Sequence, residues 1–108
     1  MQTLSEQDFR LKSDQALEEA RRALGPLADE EDFEIELQNG VLNVAFEEPP
    51  GTRFVVSPNA PMRQIWVAAM ARGYRLSWSP ELSAFALDGE PLPRLLKRLI
   101  RTLLDGSD

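Results

Sequence analysis

Between positions 29 and 36 the chain places six carboxylates in eight residues: Asp29, Glu30, Glu31, Asp32, Glu34 and Glu36. Carboxylate oxygens are hard donors, and a ligand set made only of oxygen suits hard cations such as iron, manganese, calcium or magnesium. Asp14, Glu18 and Glu19 stand upstream on a helix-patterned stretch and are candidates to join that set. An open row of carboxylates is not a cage, so an ion there would be held weakly and keep part of its water. Two other roles fit the same residues. The acids can keep the surface solvated and guard an edge strand against strand addition, and spacing alone favours that role. They can also steer a partner that carries a basic surface.

Other chemistry is thinly represented. The chain has no histidine and no cysteine. Zinc sites of the Cys/His type, disulfides and the usual general base near neutral pH are therefore excluded. Serines lack an activating base, and Lys12 and Lys97, the two lysines, fall on helix surfaces. No glycine-rich phosphate loop follows a strand. A non-catalytic protein is expected. Trp66 shares a face with Gln64 by alternation, opposite Ile65 and Val67. On that face it would be a natural anchor for a partner; a one-residue shift of register would bury it instead.

The charge is divided along the chain. Acids number 18 and bases 12, for a net charge of −6, and residues 1–50 hold 13 of the acids but only 4 of the bases. This argues against nucleic acid, which needs clustered Lys and Arg. The four cations Arg94, Lys97, Arg98 and Arg101 read as the solvated face of a helix. No apolar run approaches the ~20 residues of a membrane span. Met1 to Glu6 contain no basic targeting region, so a soluble, cytoplasmic protein is expected.

These residues need elements to position them. With 108 residues, one domain spanning 1–108 is expected. Residues 5–24 show an apolar or small stripe at Phe9, Ser13, Ala16, Leu17, Ala20 and Leu24, with Ser5 as cap and Gly25-Pro26 as the expected stop. Glu18 on this helix can reach Arg21 and Arg22 at i+3 and i+4. Alternation then takes over: Phe33, Ile35, Leu37 and Leu42, Val44, Phe46 flank Asn39-Gly40, a strong hairpin signal. Pro49-Pro50-Gly51 turns into a strand over 53–57, followed by runs at 63–68, 74–79 and around Phe85 and Leu87. Asp88-Gly89 turns the chain into a final helix, 92–104, with a buried stripe at Leu92, Leu95, Leu96, Leu99, Ile100 and Leu103. Helix, five or six antiparallel strands, helix gives an α+β two-layer sandwich, both helices on one sheet face.

The order Asn39-Gly40-Val41-Leu42, Phe46, Gly51, then Pro61-Met62-Arg63-Gln64-Ile65-Trp66, resembles the frataxin family, and its short bacterial branch in particular. Asp88-Gly89 followed by Leu92, Leu95 and Leu96 is similar to that family's entry into its last helix. The resemblance covers about Phe9 to Leu104 and implies the same two-layer fold. It implies a monomeric accessory role in iron–sulfur cluster assembly, with Fe²⁺ or Fe³⁺ held weakly on an acidic ridge. It further implies docking on the cysteine desulfurase and the scaffold machinery. The ridge maps onto Asp29, Glu30, Glu31, Asp32, Glu34 and Glu36, with Asp14, Glu18 and Glu19 as helix members. The partner-binding residues map onto Gln64, Trp66, Glu34 and Glu36. The chain departs from the family in carrying Arg21 and Arg22 where bacterial relatives are usually acidic, and in having no tryptophan within Leu82–Phe85.

Overall fold

The computed structural model describes residues 4–48 and 50–105. The first helix, α1 (Glu6–Glu31), is followed by seven strands: β1 (Phe33–Gln38), β2 (Val41–Phe46), β3 (Arg53–Asn59), β4 (Gln64–Ala69), β5 (Arg72–Ser79), β6 (Ala84–Leu87) and β7 (Glu90–Pro91). The chain ends in α2 (Leu92–Leu104). The strands form one antiparallel meander in the order β1-β2-β3-β4-β5-β6-β7. Each strand pairs with its chain neighbour because each connection is a short turn.

Period-two burial sets which face of the sheet is wet. Leu42, Val44, Phe54, Val56, Ile65, Val67, Leu76 and Phe85 are buried, and the helices cover this inner face. α1 lies against β1 and β2, α2 lies over β6 and β7, and the two helices touch. The core is knit by aromatic contacts. Phe46 packs against Phe33 and Phe54, each with ring centroids 5.1 Å apart. Phe85 meets Phe9 and Trp78 edge-on, at 5.7 and 5.3 Å. α2 buries five of the expected stripe residues, Leu92, Leu95, Leu96, Leu99 and Ile100, and Leu103 is half-buried.

Three details differ from the expectation. First, α1 does not stop at Gly25-Pro26 but runs two turns further to Glu31. Pro26 removes the hydrogen bond its N–H would have given to the Arg22 carbonyl. Leu24 is buried, and Leu27 and Ala28 pack on the core beyond it, so burial outweighs the lost bond. The helix ends at Asp32, in the left-handed conformation (φ 61°), whose N–H donates to the Ala28 carbonyl. Second, the β4–β5 turn is carried by Met70 and Ala71, both at positive φ (51° and 65°), and Gly73 lies inside β5 instead of preceding it. The pairing of Ala69 with Arg72 and the burial of Ala69 and Leu76 fix the register, so this turn forms without glycine or asparagine. Third, the residues after Asp88-Gly89 pair with Ala86 and Leu87 as a two-residue seventh strand. The other hairpins follow their turn chemistry: Asn39-Gly40 and Asp88-Gly89 both have positive φ at each position. Pro49 of the expected 49–51 turn lies outside the described residues.

Candidate functional site

Because α1 continues past Pro26, Asp29, Glu30 and Glu31 stand on its last turn rather than in a loop. Asp32 is the single residue between helix and strand, and Glu34 and Glu36 follow on the wet face of β1. All six are exposed. The pairing of Phe33 with Phe46 carries Glu47 alongside Asp32 across the β1–β2 edge. Asp29, Asp32, Glu34 and Glu47 accordingly line one open depression of about 610 Å³, floored by Ala28, Phe33, Ala45 and Phe46. Glu47 was not among the residues expected from sequence. The signal was there: the Asn39-Gly40 hairpin fixes the register up to the Phe33–Phe46 pair, and Asp32 and Glu47 are the residues that flank that last pair.

The acids of this rim are uncompensated. Among the described residues the ion pairs are Glu18 with Arg21, Glu18 with Arg22 and Glu90 with Arg98. None involves residues 29–36 or Glu47. Seven negative charges therefore crowd one corner of the molecule, none of them in an ion pair among the described residues. Such a corner attracts hard cations and basic surfaces alike. It is not a chelating cage, since among the described residues no three acidic side chains converge on one ion position. An ion here would take one or two carboxylates at a time and keep several waters.

The upstream acids do not join the rim. Helical rise puts Glu19 about 15 Å and Asp14 about 22 Å from Asp29 along the same helix axis. Glu18 is occupied: Arg21 Nε donates to it at 3.1 Å and Arg22 Nε at 3.4 Å. The Arg21 hydrogen bond, more than any other influence, holds the Glu18 carboxyl below its ordinary value, and partial burial opposes it. Glu19 borders a separate small cleft beside Lys12 and Trp78, whose ring lies 4.6 Å under the Lys12 ammonium. The expectation that Asp14, Glu18 and Glu19 lie near the 29–36 cluster is corrected here.

Gln64 and Trp66 stand together on the outer face of β4, and Ile65 and Val67 are buried behind them. Trp66 is half-buried, and its indole N–H donates to Gln64 Oε1 at 3.0 Å. Gln64 Nε2 in turn donates to Ser77 Oγ at 3.3 Å on β5. The Arg75 guanidinium lies 4.9 Å above the Trp66 ring.

Comparison with known proteins assigns this architecture. A family model described as a frataxin-like domain matches residues 2–106. The chain belongs to the frataxin-like family. Among its curated relatives is a protein of Pseudomonas fluorescens named iron-sulfur cluster assembly protein CyaY, 32% identical over 97 residues, covering 82% of this chain and 86% of the relative. A protein of the same name from Pseudomonas aeruginosa is 39% identical over 84 residues, 74% of each chain. Solved structures of the family share the fold. Yeast frataxin superposes with a TM-score of 0.68 at 20% identity, over 98% of this chain and 88% of its own. Frataxin from Psychromonas ingrahamii gives 0.63 at 19% identity, over 96% and 92%. Two helices on one face of an antiparallel sheet are thus the family's own arrangement, and the acidic rim and Trp66 occupy defined places on it.

Proposed function

We propose that this chain, as a single frataxin-like unit over residues 1–108, is a non-catalytic accessory protein of iron–sulfur cluster assembly in the cytoplasm. In this reading it acts as a monomer, binds Fe²⁺ or Fe³⁺ loosely at the rim formed by Asp29, Glu30, Glu31, Asp32, Glu34, Glu36 and Glu47, and docks on the cysteine desulfurase. Glu34 and Glu36 meet the desulfurase's basic surface, and Gln64 with Trp66 presents the outer sheet face to the assembly machinery. The observation that carries the reading is the uncompensated rim in a chain whose curated relatives are named for cluster assembly. Loose binding follows from the geometry: neighbouring carboxylates repel one another, and an exposed ion keeps its water. Asp14 and Glu19 contribute only to the general field, and Glu18 is withdrawn by its arginines.

A pull-down with purified cysteine desulfurase tests the docking. Charge reversal by Glu34→Lys with Glu36→Lys is expected to abolish capture, and Trp66→Ala to reduce it. Capture by both variants at the wild-type level would remove these surfaces from the interface.

A second reading is favoured by one observation, the lack of three converging carboxylates among the described residues. In it the rim is a metal-independent contact for a basic protein surface. Iron then has no residue-specific effect, while the charge-reversed variant still loses its partner.

A further inference from the structure

The outer sheet face carries a cation that the acidic rim does not explain. Arg75, in the outward row of β5 with Gly73 and Ser77, is exposed and makes no ion pair among the described residues. The Arg75 guanidinium carbon lies 4.9 Å from the centroid of the Trp66 ring. The ring itself is fixed by the chain of hydrogen bonds from Ser77 through Gln64 to the indole N–H. A tryptophan whose orientation is set before binding, capped by an arginine, is the composition of an interface hot spot. Stacking uses the guanidinium face and leaves N–H groups on its edge free for a carboxylate.

Beside this pair lies a trough of about 220 Å³. Its floor is one register row across three strands, Val55 against Ala68 against Gly73, with Trp66 as its wall. The trough is open and smaller than the pockets that enclose cofactors, which run from roughly 300 Å³ upward. It suits one aliphatic side chain of a protein partner. Gly73 and Arg75 are two residues apart on the same face of β5, so their backbone positions are separated by about 6.7 Å. Two residues of an extended segment span the same distance.

We propose that the Trp66 face binds an extended segment of a partner protein carrying an aliphatic residue and, two positions away, an aspartate or glutamate, with Arg75 selecting the acid. The inference rests on the reading of Gln64 and Trp66 as a docking face and adds what that face recognises. Charge complementarity commits it to an acidic segment: Arg75 has no carboxylate partner among the described residues, and Glu34 and Glu36, the acids on the wet face of β1, lie four strands away.

The test uses the full chain, isotope-labelled for NMR, with two N-acetylated pentapeptide amides as probes. They are threonyl-leucyl-seryl-aspartyl-threonine and its asparaginyl counterpart. The aspartyl peptide is expected to shift the Trp66 indole and Arg75 Nε resonances at millimolar concentration. It should bind about tenfold tighter than the asparaginyl peptide, the usual advantage of a charge-assisted hydrogen bond over a neutral one. Arg75→Gln should level the two peptides, and Arg75→Lys should restore part of the difference. Equal binding of both peptides to the wild type, or no shift with either, overturns the proposal. So do the same shifts produced by concentrating the chain alone, which would make a second copy the occupant. If Trp66→Ala binds both peptides as the wild type does, the docking face itself is wrong. If Trp66→Ala abolishes binding but Arg75→Gln changes nothing, the face stands and only the acid selectivity fails.

Discussion

Gly25→Ala tests the element that positions the acidic rim. Gly25 lies in α1 one residue before Pro26, its φ is not in the positive region, and nothing lies within 4 Å of where a Cβ would stand. Outside its chain neighbours alanine meets no clash; the neighbour its Cβ would crowd is the Pro26 ring, so the substitution is made in the Pro26→Ala background, where that contact is absent. There it removes the conformational freedom that glycine carries into the unfolded chain, and it favours the helix by about 0.8–1 kcal/mol. A change of 1 kcal/mol moves Tm by about 4–8 °C in domains slightly smaller than this one, so a rise of about 3–6 °C is expected. Thermal melts followed by circular dichroism, checked against urea unfolding midpoints, read it directly. Pro26→Ala, which returns a donor to the Arg22 carbonyl, should raise stability at least as far. The refuting result is a fall in Tm. A helix that ended at Leu24 would need Gly25 in the left-handed conformation as its cap, and alanine there would cost about 1 kcal/mol. Asp29, Glu30 and Glu31 would then belong to a loop, and the rim described above would not exist.

Other consequences follow from single residues. Ala71→Gly relieves a positive φ of 65° on an exposed turn residue and should raise the urea midpoint, by about 1 kcal/mol in stability. Asp32→Gly should stabilise by a similar amount, since Asp32 holds φ 61°, while weakening iron binding at the rim, so stability and affinity move in opposite directions. The Glu90 carboxyl is held below its ordinary value near 4.5, first by the Arg98 hydrogen bonds, with burial opposing. The stabilisation from a depressed carboxyl is complete above the unfolded value and is lost as pH falls through the lower folded value. Glu90→Gln should therefore cost under about 1 kcal/mol at pH 7, and the cost should shrink progressively as pH falls below the unfolded carboxyl value, as a comparison of urea midpoints between neutral and acidic pH would show.

Much of this architecture was legible because its signals are local. The limits of α2 follow from the Asp88-Gly89 turn and an unbroken leucine stripe. The outward placement of Trp66 follows from strict alternation with Ile65 and Val67. What escaped depended on contacts distant in sequence. Gly25-Pro26 reads as a stop until Leu27 and Ala28 are seen packed on the core. Met70-Ala71 carries no turn signature, and only the pairing of β4 with β5 imposes the turn. Glu47 joins the rim through cross-strand register, whereas Asp14 and Glu19 are separated from it by the length of a helix that local pattern had ended too soon. The acids were visible as a cluster, but their division into a free rim and an arginine-neutralised Glu18 needed the geometry.

The most direct test is an anaerobic titration of the labelled chain with Fe²⁺, followed by paramagnetic broadening of the amide resonances. The account predicts broadening confined to residues 29–36 and the neighbourhood of Glu47, absent around Asp14 and Glu18, and largely removed by Glu34→Lys with Glu36→Lys. Broadening centred on Asp14, Glu18 and Glu19, or none at millimolar iron, would contradict it.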